Sequence, residues 1–555
     1  MKVQPLIPQI KQNNENNKNN IKFTGAFDAF TLGLRFLETN QAWGANAVDL
    51  GSMVIPRTTI DLVNRGPAAG METGRREASG TINHSLVGVY GTLAGMLLAA
   101  SLNAKYGVKA HKIFVDDETL GILGQAWDKQ VRAKNSTPLK DYLLDVFSNA
   151  KTRIGDDWVN IPKDKVDNIV EKFTNELSSK GAPTTISKDL KAYAQSVITH
   201  ATGSETNFKL AEKQHVVTLS NMLDSIYNVS RTFVTDKVGE AFKLSSDINA
   251  NSFINALKRM NLHRSMLGLG IAAAIGMSIQ PLNIYLTKKK TGSDGFVGVE
   301  GRQKDNSAGF WGLKGLAAAV FGGGILASIG LKDGLNGLLK KIQFKGLIPT
   351  LNQFKFIYGV TIMSRFLAAR DKDELRESVV KDVLGFFNWL ILGNFVAKIT
   401  ANAMDKSLLN YSEKEHGKGA LKKILNAPMK TRDEVLHAGL KKAGIDSIEG
   451  GKALSFKQML KKLSTSAVPE AIRKETKGKL RVLSIAQIAG YLYSGLVLGV
   501  GIPKLNIYMT NKSEAKRKAK LAAQKAENAS KETTQSEPYQ SMMKPENLAF
   551  LSSQM

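Results

Sequence analysis

Arginine and glutamate recur together in two stretches of this 555-residue chain. The first holds Arg57, Arg65, Glu72, Arg75, Arg76 and Glu77, and the second Arg365, Arg370, Glu374, Arg376 and Glu377. A guanidinium is a planar fork of donors that fits a phosphate or a carboxylate through two parallel hydrogen bonds. Two chemistries follow from the same residues. Either the arginines hold the phosphates of anionic lipid headgroups, or they pair with the glutamates beside them. Each group runs straight into an apolar stretch, which sets either chemistry at a membrane surface.

Nothing catalytic accompanies these groups. The sequence has no HExxH, GxxxxGK[ST] or GxSxG pattern and no Asp-rich calcium loop. With no cysteine, it has no disulfide, thiolate nucleophile or Cys-ligated metal. The seven histidines are scattered. His84, at the mouth of an apolar run, reads as an interfacial side chain rather than a ligand or proton relay. Gly322 to Gly324 lie inside an apolar run, not after a strand, so they are no phosphate loop. The expectation is a non-enzymatic chain without cofactor or metal.

The elements that must carry these residues are written in the patterning. The composition is 43% hydrophobic and 23% charged, with a net charge of +27 and a pI near 9.8. Such a basic balance calls for an anionic partner, a membrane surface or nucleic acid. Nucleic acid is the poorer reading, since no recognition fold or aromatic–basic platform is visible. The apolar residues are bunched into runs: Ala78–Asn103, Met266–Thr287, Gly315–Leu331, Val383–Ala397 and Val482–Pro503. The centre of the first, SLVGVYGTLAGMLLAASLN, is long enough as a helix to cross a hydrocarbon layer of roughly 30 Å. A buried helix of a soluble protein is its alternative. Gly91 with Gly95, and Gly495 with Gly499, stand in GxxxG spacing, which admits a second helix at close range.

The second and last runs end alike. Sliding the chain by 223 residues brings Ile279, Leu282, Asn283, Ile284, Tyr285, Thr287 and Lys289 onto Ile502, Leu505, Asn506, Ile507, Tyr508, Thr510 and Lys512. The matched tyrosines beside lysines suit membrane-interface anchors. Alternatively, Asn283 and Asn506 offer amides to a substrate or a partner helix. A weaker match extends upstream. Gly51 and Arg57 are spaced as Gly359 and Arg365 are, and the Arg76-Glu77 dipeptide corresponds to Arg376-Glu377.

These features predict an all-α polytopic membrane protein of about four to six spans, built by internal duplication, with helical soluble inserts. An Asn-rich disordered tail (1–24) precedes the first Arg/Glu-flanked helix and span (25–103). A helical soluble insert (104–256) follows, and then two spans (257–331). An interfacial helix, the second Arg/Glu segment and a membrane run occupy 332–397. A lysine-rich helical insert (398–479), the last span (480–512) and a basic, disordered tail (513–555) complete the chain. One long helix is expected from about Glu205 to Ala241. Five crossing runs would leave the halves antiparallel, an inverted repeat with Ser293 and Ser513 on opposite faces. No secretory signal opens the sequence, so the expected location is an integral one, most simply in a bacterial cytoplasmic membrane.

Two functions fit. One is a scaffold or organiser that binds anionic lipid and a partner helix, whether from another protein or a second copy of this chain. The other is a pseudo-symmetric transporter or channel for small solutes. Transport requires polar groups converging between the spans, whereas scaffolding keeps them at the surfaces.

Overall fold

The computed structural model describes residues 29–37 and 49–542, apart from 155–156, 206–207, 211–217, 298, 300, 331–333, 347–348, 389–392, 412, 414–417, 420–421, 423 and 425–426. The expected disordered N-terminal tail and the last residues of the C-terminal tail therefore lie outside the described residues.

The chain is overwhelmingly helical. The first half of the bundle contains a π-helical turn (Leu50–Val54) that runs into α1 (Ile55–Arg65), then α2 (Pro67–Ser85), α3 (Val87–Leu98) and α4 (Ala100–Tyr106). Pro56 and Pro67 sit in the first turns of α1 and α2, where a missing N–H costs nothing. Gly66 turns the chain between them at φ 88°, a conformation that favours glycine.

A helical lobe follows: α5 (Asp117–Ala133), α6 (Pro138–Asn149), α7 (Lys163–Ser178), α8 (Lys188–Thr202), α9 (Leu219–Phe233) and α10 (Asp236–Leu244). Its core is aromatic, with Trp127, Tyr142, Phe233 and Phe242 in edge contacts and Phe147 against Phe173. Three short antiparallel strands in the order β2-β1-β3 also belong to it: β1 (Lys151–Ile154), β2 (Asp157–Asn160) and β3 (Phe208–Lys209). The helix expected over Glu205–Ala241 is thus corrected. Strand β3 occupies its start, and Val234–Thr235 divides the rest into α9 and α10.

Asn251 accepts from the backbone N–H groups of Phe253 and Ile254 and so starts the longest helix of the first half, α11 (Ser252–Thr291). Next come α12 (Ala308–Ile329), α13 (Gly334–Lys341), α14 (Leu351–Ala368), α15 (Lys372–Phe387) and α16 (Gly393–Met404). The second insert contributes α17 (Arg432–Lys442), the hairpin β4 (Ile448–Glu449) and β5 (Lys452–Ala453), and α18 (Phe456–Leu463). Capping boxes at Thr350–Gln353, Thr431–Glu434 and Ser455–Gln458 fix the starts of α14, α17 and α18. Finally α19 (Glu470–Ser494) passes through a π-helical segment (Gly495–Gly501) into α20 (Ile502–Met542).

By length and composition, three helices could cross a membrane: α11, α12 and the continuous run Glu470–Ala529. The pair α3–α4, bent by 54°, would make a fourth.

The two halves run in the same direction. Both inserts lie at one end of the bundle, where the α8 residue His200 meets His437 of α17. At the opposite end, past Thr287 and Thr510, Arg302 of the loop after α11 donates to Glu514 of α20 and to Asp371 and Asp373 at the start of α15. The expected inverted repeat is therefore corrected to a parallel one. The miscount came from α1 and α14. Each passes between the ends of the bundle, yet charged residues interrupt both, so neither stood out as an apolar run. Of the run Val383–Ala397, the described residues place Val383–Phe387 in α15 and Gly393–Ala397 in α16.

Each half lends a helix to the other. A Cβ on Gly276 of α11 would collide with the Thr361 hydroxyl of α14, and Ser364 donates to the Met277 carbonyl at 2.6 Å. At the matching position, a Cβ on Gly499 would collide with the Ser52 carbonyl and come within 3.0 Å of Pro56. Gly495 faces Ser52 in the same crossing. Gly91 faces Gly268 and the Phe344 ring, while Gly95 faces Arg264, so both glycine pairs lie at close helix approaches.

Candidate site: an ion-paired column between the halves

The charged residues of α1, α2, α14 and α15 converge where the two halves meet. Arg370, 1% exposed, donates to Glu72 at 2.6 Å and to Glu374 at 2.9 Å. In the reciprocal pair, Arg65 donates to Glu377 at 2.9 Å, with Asp61 at 3.6 Å. Both pairs bridge the halves, and the Phe296 ring lies between them, 5.4 Å from Arg65 and 5.9 Å from Arg370.

Deeper in the bundle, Arg57 donates to Glu77 at 3.1 Å and to the Leu498 carbonyl at 2.9 Å. Its counterpart Arg365 donates to Asp382 at 2.9 Å. Each of these guanidinium groups rests against a glycine of the other half, Arg365 on Gly80 and Arg57 on Gly385. Glu77 also accepts from Lys381 at 3.0 Å and from Arg76 at 3.2 Å. Beyond them His84 stacks on Tyr358 with ring centres 4.3 Å apart.

These pairs reveal a repeat register that the dipeptide match missed. Glu72, Arg76, Glu77, Gly80 and Asn83 correspond to Glu377, Lys381, Asp382, Gly385 and Asn388, an offset of 305. Arg76-Glu77 therefore matches Lys381-Asp382, not Arg376-Glu377. A like-for-like comparison of charge, E-x3-[RK]-[ED]-x2-G-x2-N, would have found it from sequence. The offset of 308 between Arg57 and Arg365 stands beside it, because Arg57 lies 15 residues before Glu72 whereas Arg365 lies 12 before Glu377. Lys381, Asp382, Arg302 and Phe296 are site residues that the sequence reading did not single out.

The column is balanced in charge. A cleft of about 40 Å³ opens beside it, lined by Arg57, Arg65, Glu72, Lys381, Phe296 and Asn506 among others. That volume suits a few waters rather than an organic ligand. Asn506 donates to the Glu377 carbonyl at 3.1 Å, and its own oxygen has no partner. Arg376 pairs with Asp373 at 2.7 Å and donates to Thr510 at 2.8 Å. Arg75 differs from the other arginines. It donates to Thr287 at 2.7 Å and to Asn283 at 3.3 Å, both neutral. The tyrosines that end the repeat, Tyr285 and Tyr508, are 60% and 63% exposed, whereas the asparagines two residues before them are buried.

Away from the bundle, a cleft of about 770 Å³ lies between the two inserts, lined by Lys191, Thr199, Glu205, Thr350 and His437 among others. Among the described residues, no group of histidines and carboxylates is placed to hold a metal ion. No family model matches the chain, and no curated protein or solved structure matches it either.

Proposed function

We propose that this chain is an integral membrane protein whose two halves, side by side in one orientation, form a path for a small ionic solute along their common interface. One observation carries the reading: four helices bring ionised side chains together at the junction of the halves, away from the surface. Ionisable groups at membrane depth are costly and mark pathways or sites. A buried ion pair contributes little stability beyond what well-packed apolar residues would supply, so stability alone does not account for so many of them. The apolar faces of α3, α12 and α19 support the membrane setting, with Leu97, Val320 and Leu492 at 74%, 68% and 61% exposure. A charged solute passing here would exchange with internal partners, taking the place of an arginine on a carboxylate or the reverse.

The cleft between the inserts favours a second reading, a membrane scaffold that presents its helical lobe to a partner. One double variant separates the two. A Cβ on Gly495 would lie 3.7 Å from the Cβ of Ser52, within disulfide range, and the chain has no cysteine of its own. Ser52→Cys with Gly495→Cys should therefore cross-link one crossing between the halves upon oxidation. In liposomes with an imposed ion gradient, the reduced protein should pass H⁺, Na⁺, K⁺ or Cl⁻. Oxidation should stop the flux and a reductant should restore it. Absence of flux for all four ions in the reduced protein would leave the scaffold reading. Flux that persists through complete cross-linking would move the path elsewhere.

A further inference from the structure

The two matched ends of α11 and α20 differ in how their arginines are partnered. In the second half the corner between α15 and α20 already holds an anion. Thr510 donates its hydroxyl to the Glu377 carboxylate, and Arg376 donates in turn to Thr510. Arg376 also has Asp373 as a counter-ion and Glu377 has Arg65, so this corner is neutral. In the first half the carboxylate matching Glu377 is Glu72, and it is turned away onto Arg370. The corner between α2 and α11 is left with the half-buried Arg75, whose nearest acceptors are the hydroxyl of Thr287 and the amide oxygen of Asn283. Among the described residues no carboxylate lies within ion-pair distance of it. Asn283 is 4% exposed, and its amide nitrogen, on the same group that accepts from Arg75, has no partner. A cation and an orphan donor thus share one corner without an acceptor of negative charge.

The surroundings indicate where the anion comes from. Lys290 reaches Met71, one turn of α2 before Arg75, and Lys289 is exposed beside it. On the outer face of the same turns of α11, Leu282, Tyr285 and Leu286 are exposed. Cations beside an apolar, aromatic-edged surface suit an amphiphile with an anionic head.

We infer that the Arg75–Asn283–Thr287 corner binds the phosphate of an anionic lipid, in the place that Glu377 fills in the other half. This rests on the membrane setting proposed above, and the test keeps the two apart. Retention of the full chain in membranes through a carbonate wash reports on the setting alone. Lipid preference is then read as the rise in unfolding temperature and the lipid retained in native mass spectra, using nanodiscs of phosphatidylcholine with or without phosphatidylglycerol. The wild type should prefer phosphatidylglycerol, and Arg75→Gln should lose about fivefold of that preference, the contribution of one interfacial cation. Asn283→Asp supplies the missing carboxylate inside the corner. It should keep the fold, since Arg75 gains a partner, and yet abolish the preference. Arg376→Gln should leave the preference intact. An unchanged preference in both Arg75→Gln and Asn283→Asp would overturn the inference. So would stabilisation of the detergent-solubilised protein by inorganic phosphate, reversed by Asn283→Asp, with no preference for phosphatidylglycerol in nanodiscs, because the occupant would then be free phosphate.

Discussion

Arg370 shows how a guanidinium that reads as a phosphate ligand can be spent inside the molecule. Two carboxylates and a surrounding bundle enclose it, and burial of that kind is tolerated only with full pairing. Arg370→Gln should therefore lower stability by about 3–5 kcal/mol, because Glu72 and Glu374 are left facing each other without a counter-charge. The unfolding midpoint in detergent, followed by tryptophan fluorescence, measures this. Adding Glu72→Gln to Arg370→Gln should recover part of the loss. A lipid ligand would behave oppositely, with an unchanged midpoint and a weaker preference for anionic lipid. The sequence contained both chemistries, since ion pairing and phosphate binding need the same residues. Only the positions of the partners separate them, and those partners come from 298 residues away for Arg370 and 312 for Arg65. No local pattern encodes such a distance.

At the scale of elements, the inserts meet through α8 and α17, where His200 and His437 cross at 6.0 Å in an edge-on arrangement. Burial, the neighbouring His200 and Arg35 hold the His437 imidazole down to about 4, against a weaker opposing pull from Asp446. His200 is also held low, chiefly by burial. In the unfolded chain His437 takes its proton near the ordinary histidine value. Between that value and about 4 the folded protein therefore binds fewer protons than the unfolded one. Stability from this contact is complete at neutral pH and falls as the pH drops through that window, by about 3 kcal/mol at most. The midpoint of thermal unfolding should decline between pH 6.5 and 4, and His437→Phe should flatten the decline. An equal slope in the variant would place the acid sensitivity elsewhere. The lobe helices were readable because their apolar residues recur at helical spacing, as in Val166, Ile169, Val170 and Phe173 of α7. Helices α1 and α14 were not counted as passes. Their buried faces carry Arg57, Gln353 and Arg365, so a pattern that seeks apolar faces passes over them.

Across the whole molecule, one missed helix per half changes the orientation of one half relative to the other. With α1 and α14 counted as passes, each half contributes three: α1, α2–α3 and α11, then α14, α15–α16 and α19–α20. Helix α12 returns the chain between them. It starts where Asp305 donates its N–H to the Arg370 carbonyl at 2.8 Å and ends where Lys341 and Lys355 reach the carbonyls of Gly330 and Ser328. From the start of α1 to the start of α14 the chain makes four passes, α1, α2–α3, α11 and α12, an even number, so equivalent helices point the same way. The LNIY match pairs the ends of α11 and α20, but the orientation inferred from it depended on segments whose charges hid them. A cysteine-free chain makes the geometry testable by labelling. Ser293 is exposed after α11, and Asn511 is exposed just past the matched end in α20, whereas the neighbouring Ser513 is tied to Asp373 at 3.0 Å. Ser293→Cys and Asn511→Cys should cost little, being exposed positions. In intact cells a membrane-impermeant maleimide should label both or neither, and after permeabilisation it should label both. Exposed positions in the inserts, Lys140 and Lys457, should as cysteines give the opposite result, because the lobe stands at the other end of α11 and α19. Labelling of Ser293→Cys and Asn511→Cys from different sides would restore the inverted repeat, and it would break the Arg302–Glu514 contact that holds those two segments together.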